Sequence, residues 1–229
     1  RDPLTGALCC WLPERELARL VEPVRATLLS PLAYVVRHLE GVVRRNLASL
    51  LGIEEVEVLV ARWMDADDGP YLILTALQDR RARLRFARLL RELVRDGVPV
   101  TDWRRLLEAA RGEPLTVDHL GTAVRLLRHR LRELLPGNEA TVYRFSLPEP
   151  WETTLADHAS GRHPRVVLRD SEETLSYLRA IDAYVAEQDG PVALVVRWGE
   201  LRPVVRALIE AELELPNLSV LAADELLDG

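Results

Sequence analysis

The chain has 229 residues, is 48% hydrophobic and carries a formal net charge of −6, which is enough apolar material for one large core or two modest ones and excludes a disordered tail. The acidic balance disfavours a general nucleic-acid or anionic-membrane binder, while leaving room for a local basic face. All 30 basic residues are arginine, so a Schiff-base lysine, a P-loop lysine and lysine-dependent hydrolysis are excluded together.

The opening reads RDPLTGALCCWLP, with turn residues followed by an apolar run from Ala7 to Leu12 suited to a strand. Its adjacent cysteines, Cys9 and Cys10, are poorly placed for a mutual disulfide and read as small buried hydrophobes of a reduced compartment. No apolar run approaches the ~18 residues of a membrane span, and no signal-peptide pattern is present. A first residue of Arg rather than Met leads us to expect a chain cut from something longer.

A short helix is predicted from Glu14 to Val21, stopped by Pro23. Ser30-Pro31 reads as an N-cap with proline at the first helical position. The helix that follows is expected to bury Tyr34, Val35, Leu39, Val42 or Val43, Leu47 and Leu50, and to end at Gly52. Ile53 to Met64 forms a further helix with Val56, Leu59, Val60 and Trp63 inward. DADDGP, 65 to 70, is a polar loop, and Tyr71 to Leu77 is read as helix because helices surround it.

Residues 83 to 111 give the clearest pattern, a helical hairpin with Phe86, Leu89, Leu90, Leu93 and Val94 on one arm and Trp103, Leu106, Leu107 and Ala110 on the other. Gly97 supplies the left-handed closing residue, Pro99 blocks continuation, and Thr101 is the expected N-cap of the second arm. Thr116 is expected to cap a helix carrying Leu120, Val124, Leu127, Leu131 and Leu134.

After Pro136-Gly137 the period changes. Val142 to Leu147, Val166 to Leu168, Val192 to Val196 and Leu218 to Leu221 read as strands, with helices at Ser171 to Glu187 and Glu200 to Leu213. Alternating strands and helices imply a small parallel or mixed sheet covered by helices. The fold class is therefore α+β or α/β: a strand–loop–helix segment at 1–29, an all-helical subdomain at 30–136 and an α/β subdomain at 137–229.

No constellation makes a persuasive enzyme, and no cofactor or metal site is expected. His158 and His163, in HASGRH, have loop spacing for a metal without a second ligand pair. Asp65, Asp67 and Asp68 lack the glycine and glutamate of a calcium loop. RWGELRP, 197 to 203, has one glycine where a phosphate cradle needs three. His38, His119 and His129 have no nucleophile motif beside them. Arginines at 80, 81, 83, 85, 88, 91, 95, 104 and 105 raise a DNA-contacting alternative for the hairpin, but DWRRLLEAA offers few side chains for reading base edges.

Several segments resemble one family in order. DPLTGALCCWLPE is similar to a DP-x-x-G segment and following tryptophan strand. PLAYVVRHLEGVVRRNLASLLGIEEVEVLV, LLRELVRDGVPVTDWRRLLEA, LPGNEATVYRF and ELRPVVRALIEAELELPNLSVLAADEL continue the match through the chain. These resemble the cytosolic C-terminal region of the FHIPEP family, the export-gate proteins of flagellar and virulence type III secretion. The resemblance implies a non-enzymatic ring-forming platform under an export channel, tethered through a membrane part and receiving secretion chaperones with their substrates. It places that region on the cytoplasmic face of the bacterial inner membrane. It also implies partner-binding positions at Asp2, Thr5 and Arg37. Asp2 matches the flagellar pattern, Thr5 stands in place of an aromatic, and Arg37 replaces the threonine beside His38, which points to injectisome-like or divergent use. Arg125, Arg128 and Arg132 are expected to pair with acids of a neighbouring subunit.

Overall fold

The computed structural model describes residues 9–17, 19–21, 28–65, 69–139, 141–159, 172–213, 215 and 218–227. The run expected to be a strand from Ala7 to Leu12 falls partly outside these residues, and its described part has no regular structure. Helix α1 is a single turn, Glu14–Leu17.

Helix α2, Pro31–Leu50, starts as the sequence dictates: the Ser30 hydroxyl accepts from Ala33 N–H at 3.1 Å and Pro31 occupies the first turn. Its orientation is the largest departure from expectation. Val35, Leu39, Val43, Leu47 and Leu50 are exposed rather than buried, as are Leu32 and Val36. Among its described side chains the buried residues are the small ones, Gly41 and Ala48, and α2 packs on helix α5, Arg80–Arg95. Small side chains allow the close approach, and the apolar stripe is thereby left on the outer side.

Gly52 does not close α2; it precedes helix α3, Ile53–Met64, and its N–H donates to the Glu55 carboxylate at 2.8 Å. Val56, Val60 and Trp63 are buried from α3. Helix α4, Gly69–Ala76, follows, and α5 then contributes Phe86, Leu89, Leu90 and Leu93, all 1% exposed or less. Burying side chains of this size stabilises by about 1.5–3 kcal/mol each before entropy is counted.

The hairpin turn forms as the glycine signal requires. Gly97 has φ +73°, its N–H donates to Val94 at 3.0 Å, and Val98 N–H returns to Leu93 at 2.9 Å. Helix α6, Trp103–Ala110, is capped by Asp102 rather than Thr101, because the Asp102 carboxylate reaches the Arg105 N–H at 3.2 Å. Trp103 stacks on Trp63 at 5.7 Å, tying α6 to α3.

Helix α7 is one turn, Glu113–Thr116, and helix α8 spans Leu120–Arg130. Thr116 does not cap α8. Its hydroxyl donates back to Gly112 and Glu113 carbonyls, and His119 takes the cap position without a side-chain bond.

Strands β1, Tyr143–Ser146, β2, Val192–Val196, and β3, Leu218–Ala222, form a parallel sheet in that order. The expected strand Val166–Leu168 lies outside the described residues. Helices α9, Glu149–Ala159, α10, Glu172–Glu187, and α11, Arg202–Glu212, make the crossovers. Helix α9 was not expected, and it buries Trp151 and Leu155 completely.

Strands β2 and β3 are covered on both faces, which explains why PVALVV shows no alternation. Val192, Leu194, Val196, Leu218, Val220 and Ala222 pack with α9, α10 and α11, whereas Ala193 and Leu221 join the helical core. Gly137 sits in that join with φ +101°, and a Cβ there would lie 2.8 Å from Ala193 Cβ. Only glycine fits both the backbone angle and the space.

Candidate functional site

Two features command attention, a buried ionic cluster that joins the helical part to the sheet and an outward apolar face on α2. The cluster is assembled from four distant positions. Arg128 of α8 donates to both Glu225 oxygens, at 2.6 and 2.7 Å, and to Asp96 at 3.0 Å. Arg202 of α11 donates to the same Asp96 oxygen at 2.7 Å. Arg128 and Glu225 are each 1% exposed.

Two guanidinium groups facing two carboxylates make the cluster neutral, which is what allows it to exist out of water. Burial drives the Glu225 carboxyl upward, but the Arg128 hydrogen bonds and charge, with the Ala222 N–H, outweigh it and hold Glu225 below the usual carboxylate range. Burial lowers Arg202, whereas in Arg128 the bonds to Glu225 and the two carboxylate charges overcome burial and raise it. The four side chains hold one another in place, so the arrangement is a structural clasp.

This corrects one expectation directly. Arg128 faces no neighbouring subunit, since it is buried and fully engaged within its own chain, and Arg125 pairs with Glu200 at 2.5 Å. Arg132 is exposed.

The positions expected to bind partners are only partly visible. Asp2 and Thr5 lie outside the described residues. Arg37 is half-buried on α2. One turn before it, Tyr34 meets Trp11 edge-on at 4.9 Å and stacks with His38 at 6.3 Å. Trp11 is therefore in contact with the half of α2 that carries Arg37. Cys9 and Cys10 are exposed, not buried, and Trp11 beside them is 69% exposed. The apolar run they belong to has found no core among the described residues.

The remaining candidates resolve into structural roles. His158 is in α9 rather than in a loop, and His163 lies outside the described residues. Asp65 follows the last turn of α3, with Asp67 and Asp68 outside the described residues. His129 Nδ1 lies 3.2 Å from the Asp224 carbonyl. At the strand-end turn, Arg197 N–H donates at 2.5 Å to Glu152, a carboxylate only 2% exposed. A negative side chain thus occupies the backbone position that a phosphate would need. Among the described residues no three His, Cys, Asp or Glu side chains converge as a metal site would require, and no helix is long and apolar enough to cross a membrane.

The α2 face is what sequence reading misplaced. Leu32, Val35, Val36, Leu39, Val43 and Leu47 form a stripe along 20 residues of helix, each more than 40% exposed. A contiguous exposed apolar stripe of this length is uncommon on the surface of a monomeric protein.

A helical bundle is clasped by a buried ionic cluster to a three-stranded parallel sheet, with an apolar helix turned outward. Its family is given by the sequence as a whole: the FHIPEP family model matches residues 1–229, and the chain belongs to that family. Solved structures share the fold at low identity. The CdsV protein of Chlamydia pneumoniae superposes with a TM-score of 0.65 at 19% identity, covering 98% of this chain and 65% of its own. The nonameric cytosolic domain of EscV from a type III secretion system gives 0.65 at 16%, covering 94% and 64%. CdsV in complex with CdsO gives 0.64 at 18%, covering 87% and 58%. This chain thus spans about two thirds or less of these relatives. No curated relative matches the sequence.

Proposed function

We propose that this chain is part of a non-enzymatic, ring-forming docking platform of a bacterial type III protein-export apparatus, acting on the cytoplasmic face of the inner membrane and tethered through a membrane part. Its task is to receive secretion chaperones and export substrates, with Asp2, Thr5 and Arg37 among the partner-binding residues. The observation that carries this reading is the outward apolar stripe of α2 in a chain of this family. Water is a poor neighbour for six large aliphatic side chains, and a protein surface is the economical cover. The nonameric EscV relative and the CdsV complex with CdsO support assembly and protein capture as the mode of action.

The DNA-contacting alternative is weakened because three of the hairpin arginines are engaged within the chain. Arg83 pairs with Glu57 at 3.1 Å, Arg91 caps the Leu51 carbonyl at 2.8 Å, and Arg95 pairs with Glu92 at 2.8 Å. Side chains so engaged are not available as a phosphate-binding face.

An export assay tests the proposal. Cells carrying Leu39→Ser with Val43→Ser in the full-length protein are expected to accumulate it normally and to export substrate poorly. Undiminished export at normal protein levels would contradict it.

A further inference from the structure

Helix α5 carries a second face that the platform reading leaves unexplained. Arg81, Arg85 and Arg88 lie at steps of four and three residues on α5, with Leu84 between them. Together with Leu115 and Asp118 they line a groove of about 270 Å³. Arg85 forms the floor by donating to the Val117 and Asp118 carbonyls. Arg81 approaches Asp118 only to 4.0 Å, with both side chains 89% exposed. Arg88 is exposed and has no ion pair among the described residues.

Three cations thus face one carboxylate on a protein whose net charge is −6. The arrangement also carries two costs to the fold. Arg80 and Arg81 stand in the first turn of α5 at the positive end of the helix dipole, a cost that the Asp79 cap, accepting from the Ala82 N–H at 2.8 Å, offsets in part. Arginines at three- and four-residue steps repel one another along the same face. Both penalties would be relieved by an anion seated in the groove.

From this geometry we infer that the groove between α5 and α7 binds an acidic polypeptide segment, one bearing carboxylates spaced to meet Arg81 and Arg88 around an aliphatic side chain that covers Leu84. The two arginine Cα atoms are about 10 Å apart along the helix axis, so carboxylates two helical turns apart match them. A polypeptide is favoured over a nucleic acid because Leu84, 41% exposed, and Leu115 offer apolar contact that an aliphatic side chain can cover and a phosphate backbone cannot. The inference deepens the platform reading by naming the chemistry of one partner, and it rests on that reading only for the source of the segment.

Fluorescence anisotropy tests it, using a labelled helical peptide with glutamates at matching spacing around one leucine, a scrambled peptide of equal composition and a short DNA duplex. The full chain is expected to bind the matched peptide best, more weakly as salt rises. Arg81→Glu with Arg88→Glu should weaken binding by roughly tenfold or more, while raising Tm by about 1–2 °C through relief of the dipole and repulsion penalties. Equal binding of matched and scrambled peptides, tighter binding of DNA, or undiminished binding by the double variant would overturn the inference. So would a change of oligomeric state in the variant with its peptide affinity intact, which would make the groove a subunit contact. Peptide binding by a chain that neither assembles nor captures export proteins would leave this inference standing and remove the platform reading.

Discussion

Arg128 and Glu225, 97 residues apart in sequence, meet as a buried two-bonded pair at 2.6 and 2.7 Å and fasten the last helix of the bundle to the end of the sheet. Asp96 and Arg202 complete the cluster, so four elements that share no local signal depend on one another. Removing one partner from such a pair leaves an uncompensated charge out of water. Arg128→Met is expected to destabilise the chain by about 3–5 kcal/mol, read as a lower urea midpoint. A loss below about 1 kcal/mol would mean the pair is not closed in solution.

The same pair fixes the acid limb of stability. Glu225 has a folded pKa below its unfolded value, so its contribution is fully present above the ordinary carboxylate value of about 4.3 and is lost as pH falls through the folded pKa. Urea midpoints measured from neutral pH downward should be flat until about pH 5 and then decline. In Glu225→Gln the midpoint should be lower at neutral pH, and its decline in acid should be shallower.

Gly137 allows a separate test of the join between bundle and sheet. Gly137→Ala places a methyl 2.8 Å from Ala193 Cβ and 3.0 Å from Leu221 Cδ1 at φ +101°. The expected cost is about 2–4 kcal/mol, the sum of overpacking and a backbone angle that alanine resists. Adding Ala193→Gly should restore part of it, because the contact with Ala193 is relieved while the contact with Leu221 and the backbone angle are not. Full restoration would show that φ carries no strain there.

On α2 the usual rule for leucine and alanine is inverted. Leu39→Ser, on the exposed stripe, should change stability by no more than about 0.5 kcal/mol. Ala48→Leu, on the buried side against α5, should cost about 1–3 kcal/mol by overpacking. Thermal melts of the two variants check the orientation of the helix; the opposite ranking would mean the stripe faces inward.

What the sequence disclosed and what it withheld follow a physical division. Ser30 and Gly97 act within four residues of their own position, so their roles as cap and left-handed turn were legible. The unbroken apolar run at β2 was legible too, since both faces of that strand are covered. The direction of α2 was not, because periodicity reveals that a helix has an apolar face without saying what lies over it. Helix α9 was missed because it carries few buried anchors, Trp151 and Leu155 among them, behind an opening Glu-Pro. The Asp96, Arg128, Arg202 and Glu225 cluster was invisible for the plainest reason: ordinary surface-type residues became a buried site only when the chain closed on itself.

The most direct measurement of the account is size-exclusion chromatography with light scattering on the full-length protein, alone and mixed with secretion chaperones from the same genome. A multi-subunit assembly that takes up chaperone is the predicted result. A strict monomer that captures no export component at any concentration would contradict it.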